Sequence, residues 1–353
     1  MTNISKPRRG NTPPRINGDS IITAEGHLLV LDVGGTNVIA GLVKHDGQVL
    51  TRRVFPTNSS RGPAMVIDDI VANLKEIRDQ APAGCRPEAL VVGMPGWISP
   101  GEGILIKAPN MPGWENVPMA EIMGRALDMP VKLDNDSNLY ALGEWLCGAG
   151  QGISNLLVIT LGTGVGGGLL LENRLWNGSF ASSVEIGHTP VKLEGDLCGC
   201  GRRGCLETLA SATGMSRMAR QWLADGKPSL YQGPPQDLNP KVMAELAAKG
   251  DEMALSIFDE AGRALGLVLV STLNILGLEA IVIGGGAAGA FDYISPALWR
   301  VITERLIVTD PANIKLVKGI LGEDAPLAGG AALVRMERGG LSGEGPPLLC
   351  PAL

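Results

Sequence analysis

The sequence predicts an α/β protein with two lobes and largely parallel sheets. Strands alternate with helices along the chain, as is typical of this class. A pattern of strand, Gly-rich turn and strand near the N-terminus recurs about midway along the chain, which indicates a duplicated lobe. The length of 353 residues suits about two domains. Two lobes would leave a cleft between them.

The composition is that of a globular protein. Hydrophobic residues make up 45% of the chain and charged residues 19%, which is enough apolar material for sizeable cores. Thirty Lys and Arg against 36 Asp and Glu give a net charge of -6 and argue against a nucleic-acid partner. The 49 glycines show no collagen-like period, so we expect many tight turns and close backbone approaches.

Neither end of the chain nor its longest apolar stretch suggests membrane insertion. Residues 1–26 are basic and rich in Pro, Gly and Asn, and they lack the apolar core of a secretory signal, so we expect a disordered tail. We expect a flexible tail at residues 339–353 as well. The apolar stretch 264–290 is interrupted by Gly277 and Glu279 and reads as a buried helix followed by a buried strand. We therefore expect a cytoplasmic protein.

The smaller lobe is predicted at residues 27–134. It begins with the strand HLLVLDV from His27, a Gly-rich turn, the strand VIAGLVKH, an Asp46-Gly47 turn and the strand QVLTRRVF. A helix at 64–79 and a short strand at 89–93 follow, and VKLDND is a strand that runs into a helix beginning near Ser137. A C-terminal helix at 326–338 could complete this lobe.

The larger lobe is predicted at residues 135–325, with the second copy of the pattern at 155–175. Residues 29–36 align with 157–164 at a constant offset, so that Asp32 falls on Thr160 and Gly34 on Gly162. The two Gly-rich loops would present backbone N–H groups to an anion from both sides of a cleft, although either loop could be only a tight hairpin turn. The candidate phosphate-binding residues are Gly34, Gly35, Thr36, Thr160, Gly162, Thr163 and Gly164.

A third Gly-rich turn, which contains Gly284, Gly285 and Gly286, follows the buried strand near the end of the larger lobe. It could let an adenine ring lie against the backbone, although this signal is weak when taken alone.

Three cysteines and one histidine form a candidate metal site in the segment 185–207. Cys198, Cys200 and Cys205 follow His188 and supply three thiolates and one imidazole, the ligands of a closed tetrahedral zinc site. Free thiols or a redox pair are the alternatives. Glu185 and Glu207 flank these ligands, so a metal would fix both carboxylates, which could accept hydrogen bonds from polyol hydroxyls. The alternative for both is a solvated surface charge.

Three aspartates lie at predicted strand ends. Asp32 opens the first Gly-rich loop, where an unpaired buried carboxylate would be costly unless a cation or hydrogen-bond donors met it. We expect it to bind Mg²⁺ through water, with a turn-capping role as the alternative. If the two Gly-rich loops hold the phosphates of a phosphoryl donor, transfer to an alcohol would need an acceptor for the hydroxyl proton. Asp136 in LDNDSN could serve, but it could equally cap the following helix, and Asp134 is a rival base.

These motifs together resemble a known family. LDVGGTN, LGTGVGGG, EIGH and CGCGRRGCLE occur in this order and are similar to those of the ROK family (repressor, open reading frame, kinase), over roughly residues 28–338. The resemblance implies an actin-like (ribonuclease H-like) two-lobed sugar kinase fold with a duplicated βββαβα core. It also implies ATP-dependent phosphorylation of a hexose at its 6-hydroxyl, with Mg²⁺ and a structural Zn²⁺. PNMPGW at 109–114 is similar to a segment of the family's glucokinases, which favours glucose.

The resemblance assigns the sugar site. It implies Asp136 as the base and Asn135 as a sugar-hydroxyl partner, while Ser137 occupies a position often held by Ala, and we expect no catalytic role for it. His188 would bind zinc through one ring nitrogen and a sugar hydroxyl through the other. The remaining sugar-site residues would be Gly96, Asn110, Glu185 and Glu207.

Other functions remain open at this point. The alternatives are another ROK hexokinase, acting on mannose, fructose or an N-acetylated amino sugar, or a sugar-binding regulator without turnover. ROK repressors carry a DNA-binding helix-turn-helix before the kinase-like body, and the Pro/Gly-rich residues that precede the first strand do not fit one. We expect a homodimer or homotetramer with small-molecule ligands and with neither nucleic acid nor membrane as partner.

Overall fold

The computed structural model describes residues 26–179 and 184–337. The predicted tails, 1–26 except Gly26 and 339–353, lie outside these residues, as does residue 338 of the predicted C-terminal helix. The described chain forms two five-stranded sheets and a small three-stranded sheet. None of the helices in the described ranges has the length and apolarity needed to cross a membrane.

The first sheet has the strand order β3-β2-β1-β4-β8. Strands β1, β2 and β3 form an antiparallel meander, and β4 and β8 run parallel to β1. The strands β5, β6 and β7 form the small antiparallel sheet, which the sequence did not predict. The elements are β1 (His27–Val33), β2 (Asn37–Lys44), β3 (Val49–Pro56), α1 (Pro63–Asp79), β4 (Pro87–Met94), β5 (Trp97–Ser99), β6 (Ile104–Lys107), β7 (Glu115–Val117), α2 (Met119–Leu127), β8 (Val131–Asn135) and α3 (Asp136–Cys147).

The second sheet has the order β11-β10-β9-β12-β13, with β9, β10 and β11 antiparallel and β12 and β13 parallel to β9. This repeats the order of the first sheet and confirms the predicted duplication. The apolar stretch 264–290 is a helix followed by a strand, as predicted. The elements are β9 (Leu156–Leu161), β10 (Val165–Leu171), β11 (Arg174–Leu175), α4 (Glu207–Ala210), α5 (Ala212–Ala224), α6 (Pro240–Ala247), α7 (Glu252–Leu276), β12 (Ala280–Gly284), α8 (Phe291–Arg305), β13 (Lys315–Lys318) and α9 (Ala325–Glu337).

Equivalent residues of the two sheets also have equivalent partners on the neighbouring parallel strand. Asp32 of β1 pairs with Gly93 of β4, and Thr160 of β9 pairs with Gly284 of β12. The offset read from the sequence therefore holds in the register of the strands. In both sheets the strand end that leads into the Gly-rich loop lies beside a glycine of its parallel neighbour.

The helices α3 and α9 pack against each other between the two sheets. Alternate residues of β1 face opposite sides, since Leu28 and Val30 belong to the core around α3 and α9, whereas Leu29 and Leu31 belong to the core under α1 and α2. The core around α3 and α9 also takes in residues of β9 and β12. The helix α3 is therefore in contact with both halves of the molecule, and its first residue, Asp136, lies where they meet.

A buried carboxylate fixes the other end of α3. Glu144 has no exposed surface, and its side chain accepts hydrogen bonds from the backbone N–H groups of Ala149 (2.9 Å), Ile320 (3.2 Å) and Leu321 (2.9 Å). A buried carboxylate without such donors would cost several kcal/mol. These bonds hold the segment between β13 and α9 against α3.

Candidate active site

The junction of β8 and α3 carries the candidate base. Asn135 is the N-cap of α3, because its Oδ1 accepts from the N–H groups of Ser137 (2.9 Å) and Asn138 (3.4 Å). Asp136 is the first residue of the helix, so the capping alternative raised for it does not apply. Asp136 Oδ1 accepts from Ser137 N (2.7 Å) and lies 3.3 Å from Ser137 Oγ. One face of a half-buried carboxylate is thereby held in place.

Asp134, the rival base, has a different environment. The residue is 3% exposed, and its Oδ1 accepts from Asn135 N (2.7 Å) and Asn138 Nδ2 (2.8 Å). Asn138 in turn donates to Asn177 Oδ1 (3.0 Å), in the loop after β11. Asp134 is thus engaged in bonds that hold the β8–α3 turn.

Asp32 and Asp136 approach each other across Gly93, which the sequence analysis did not single out. A Cβ added at Gly93 would lie 3.2 Å from Asp32 Oδ1 and 3.5 Å from the Cα of Asp136. Asp32 Oδ1 is buried and has no hydrogen-bond partner among the described residues. Burial and, secondarily, the charge of Asp136 raise the pKa of Asp32 well above its ordinary value. A buried carboxylate oxygen without a donor fits a site for a divalent cation.

Asp136 therefore lies between two other carboxyl groups: its charge acts on Asp32, and the charge of Glu185 acts on it. Burial raises the pKa of Asp136, the two hydrogen bonds from Ser137 lower it, and the charge of Glu185 raises it again. The net direction is upward. A cation near Asp32 would favour the ionised form of both aspartates.

The two Gly-rich loops are hairpin turns that each leave open space at one glycine. In the β1–β2 loop, Gly34 is held by bonds to Asn37 and Thr57, while a Cβ added at Gly35 would meet nothing within 4 Å. In the β9–β10 loop, Gly162 is open in the same way. The exposed residues of the two loops include Gly35, Thr36 and Thr163. Each loop is thus a tight hairpin turn that also has open space beside one of its glycines, Gly35 or Gly162.

The third Gly-rich turn is partly explained by internal packing. A Cβ at Gly284 would collide with the Tyr140 ring, and a Cβ at Gly285 would meet the Leu161 carbonyl at 2.6 Å. Gly286 is exposed, with nothing within 4 Å of such a Cβ. Of the three glycines, Gly286 offers the open backbone surface that a ring could approach.

The four candidate metal ligands converge on one point. One donor atom each of His188, Cys198, Cys200 and Cys205 lies within 4.8 Å of the others. Cys198 Sγ is 3.6 Å from His188 Nδ1, and Cys200 Sγ is 3.7 Å from Cys205 Sγ, too long for a disulfide. Three sulfurs and one imidazole nitrogen at this spacing fit tetrahedral zinc.

The segment 185–207, which carries the candidate metal ligands, also contacts other candidate sugar-site residues and the β9–β10 loop. Glu207 accepts from Val165 N (3.1 Å) and from Cys198 Sγ (3.4 Å), which ties the segment to the β9–β10 loop. Asn110 Oδ1 would lie 3.9 Å from a Cβ added at Gly199. The Glu207 carboxylate is thus held by two hydrogen bonds and is not a solvated surface charge.

Two further candidates lie beside these groups. Glu185 is exposed, and its Oε2 is 3.8 Å from His188 Nε2. Asn135 Nδ2 donates to the Gly96 carbonyl at 3.4 Å. Gly96 has φ +94°, and a Cβ there would collide with the Lys107 carbonyl, so only glycine fits this turn.

Ser137 is the residue that the sequence analysis dismissed and the structure brings into the site. The residue is 7% exposed, and its side chain contacts both Asp136 and Thr160. Its position directly after Asp136 was the available signal. The contact with a strand 23 residues away was not visible in the sequence.

Comparison with known proteins agrees with this architecture. The ROK family model matches residues 28–337. The chain is 33% identical over 316 residues to the glucokinase of Thermotoga maritima, spanning 89% of this chain and 98% of that protein. It is 34% identical over 314 residues to the glucokinase of Halalkalibacterium halodurans, spanning 87% and 94%.

The solved structure of a ROK family glucokinase from Streptomyces griseus in complex with glucose and AMPPNP matches with a TM-score of 0.77 at 30% identity. The match covers 88% of this chain and 100% of that chain. The predicted actin-like, two-lobed fold is confirmed. With the motifs, the duplicated sheets and these matches in agreement, the chain belongs to the ROK family.

Proposed function

We propose that this protein phosphorylates glucose at its 6-hydroxyl with ATP as donor. The observation that carries the proposal is the position of Asp136, a half-buried carboxylate at the junction of the two halves, beside Asp32 and within reach of the charge of Glu185. The glucokinases of two bacteria at 33% and 34% identity support the choice of reaction and substrate.

In this proposal Asp136 accepts the proton of the sugar hydroxyl. Ser137 engages Oδ1 of Asp136 through its N–H and lies near it through its hydroxyl, which leaves Oδ2 to face the sugar. The 6-oxygen attacks the γ-phosphorus in line, its proton passes to Asp136, and the bond between the γ-phosphorus and the β–γ bridging oxygen breaks to release ADP.

The donor phosphates would lie between the two Gly-rich loops. The open backbone at Gly35 and Gly162 supports N–H contacts to phosphate oxygens, with Thr36, Thr160 and Thr163 as nearby hydroxyls. Asp32 would hold Mg²⁺ through water, and the ion supplies neutralisation of the phosphate charge. Gly286 would face the adenine, beside Gly284 and Gly285.

The zinc-binding segment would complete the sugar pocket. His188, Cys198, Cys200 and Cys205 would hold a structural Zn²⁺ and so fix Glu185 and Glu207. Asn110 and Asn135 would bond sugar hydroxyls from the other side, with Gly96 holding Asn135. The smaller lobe would comprise residues 27–134 and the C-terminal helix 326–338, and the larger lobe residues 135–325. These two lobes would close on the ligands.

The substrate is tested by comparing catalytic efficiency on glucose, mannose, fructose, N-acetylglucosamine and N-acetylmannosamine with ATP and Mg²⁺. A site that hydrogen-bonds a hydroxyl rejects an analogue that leaves those groups unpaired by ~10⁴-fold or more. We expect glucose to be preferred. An N-acetyl sugar that matches glucose would overturn the substrate but leave the kinase. No phosphorylation of any sugar would favour a sugar-binding regulator.

A further inference from the structure

The hydroxyl of Ser137 connects the candidate base to the opposite half of the site. Ser137 Oγ lies 3.3 Å from Asp136 Oδ1 and 3.0 Å from Thr160 Oγ1, the last polar side chain of β9 before its Gly-rich loop. Ser137 is 7% exposed, so water competes little for these bonds.

The space for this hydroxyl is created by a glycine of β10. Gly166 pairs with Thr160 across the β9–β10 hairpin. A Cβ at Gly166 would collide with Ser137 Oγ and lie 2.7 Å from Thr160 Oγ1. The serine side chain therefore occupies the volume that any other residue at 166 would fill. The contact is a packed feature of the hairpin and not a chance approach of two surface groups.

The numbers of donors and acceptors give the chain of bonds a direction. An ionised carboxylate only accepts, and each hydroxyl has one proton to donate. When Ser137 donates its proton to Asp136, its bond with Thr160 can form only with Thr160 as the donor. The order is then Thr160 hydroxyl to Ser137 hydroxyl to Asp136 Oδ1. Bonds to a charged acceptor are the stronger kind.

The geometry points to Ser137 as a positioning residue that sets the orientation of Asp136 relative to the β9–β10 loop. The inference rests on the proposed function, because it assigns to Ser137 and Thr160 the task of holding the base in line with the phosphoryl donor. Neither hydroxyl needs to touch the sugar for this role. Misplacement of a catalytic group lowers turnover more than it lowers substrate binding.

The test is a double-mutant cycle on kcat with Ser137→Ala, Thr160→Val and the double variant. Loss of a hydrogen bond to a charged group predicts a fall in kcat of about tenfold for Ser137→Ala, with KM for glucose within about twofold of wild type. Because both variants break one chain, the double variant should fall no further than the more impaired single variant. Thr160→Ser keeps the hydroxyl and should restore most of the kcat that Thr160→Val loses.

Ser271→Ala is the control for loss of a helical serine hydroxyl away from the site, since among the described residues Ser271 Oγ donates to Leu267 O (3.1 Å) of its own helix. Circular dichroism identifies any variant that fails to fold. An unchanged kcat in Ser137→Ala, or losses that multiply in the double variant, would overturn the inference while leaving the kinase intact. Absence of turnover in the wild type would overturn the proposed function instead.

Discussion

Replacing Asp136 by Asn tests the base directly, because the structure shows which atoms the substitution preserves. Asp136 Oδ1 accepts from Ser137 N at 2.7 Å, and the amide oxygen of Asn can accept the same bond. The amide nitrogen then replaces Oδ2. It can donate to a sugar hydroxyl but cannot take its proton. The variant should therefore fold, bind glucose and fail in chemistry.

The expected loss is at least ~10²-fold in kcat, at the low end for removal of a general base, which is about 2.7 kcal/mol of transition-state stabilisation. Affinity for glucose should stay close to wild type. The assay couples ADP formation to NADH oxidation at saturating ATP, and titration calorimetry gives glucose affinity. Both are measured on protein whose circular dichroism spectrum matches wild type.

Asp134→Asn is the control that separates the two candidate bases. Asp134 Oδ1 accepts from Asn135 N and Asn138 Nδ2, and the oxygen of an Asn can do the same. We expect a modest change in stability and a kcat within a fewfold of wild type. If Asp134→Asn lost turnover and Asp136→Asn did not, the assignment of the base would be wrong.

Three other outcomes follow from the same geometry. One zinc per chain should co-purify with the protein. Cys200→Ala should lose the zinc and bind sugar more weakly, whereas Cys85→Ala should keep it, because the Cys85 thiol lies outside the group of candidate ligands. Active protein without zinc would refute this. Because burial raises the pKa of Asp136 in the enzyme without bound cation and a base must be ionised, kcat/KM for ATP, which reports the enzyme before the nucleotide and its Mg²⁺ bind, should fall as pH drops through a value above the ordinary carboxyl range of about 4. An acid limb at or below that range would contradict the assignment. Saturating glucose should reduce the radius of gyration in small-angle scattering as the cleft closes, whereas an unchanged profile would count against closure.

The features that the sequence predicted well are those that depend on local pattern. The two meanders, the offset that aligns Asp32 with Thr160, and the strand running into a helix at 131–147 come from periodicity and turn residues close together in the chain. The convergence of the candidate metal ligands was predictable because Cys198, Cys200 and Cys205 are near one another in the sequence and few structural roles explain such spacing.

The features that the sequence did not predict depend on contacts between distant segments. The strands β5, β6 and β7 have only three or four residues each, too few to show a period. Ser137 looked inert because its partner Thr160 lies on another sheet. The role of Gly93 could not be predicted from its neighbours in the sequence, because it depends on Asp32 and Asp136, which approach it from two other elements.

The most direct test of the account is the identity of the product. The wild-type protein is incubated with glucose and ATP carrying a labelled γ-phosphoryl group, and the products are analysed by phosphorus and carbon NMR together with ADP quantification. We expect one glucose 6-phosphate for each ADP, with the label on the sugar. Label at another hydroxyl, or ADP formed with inorganic phosphate and no sugar phosphate, would contradict it.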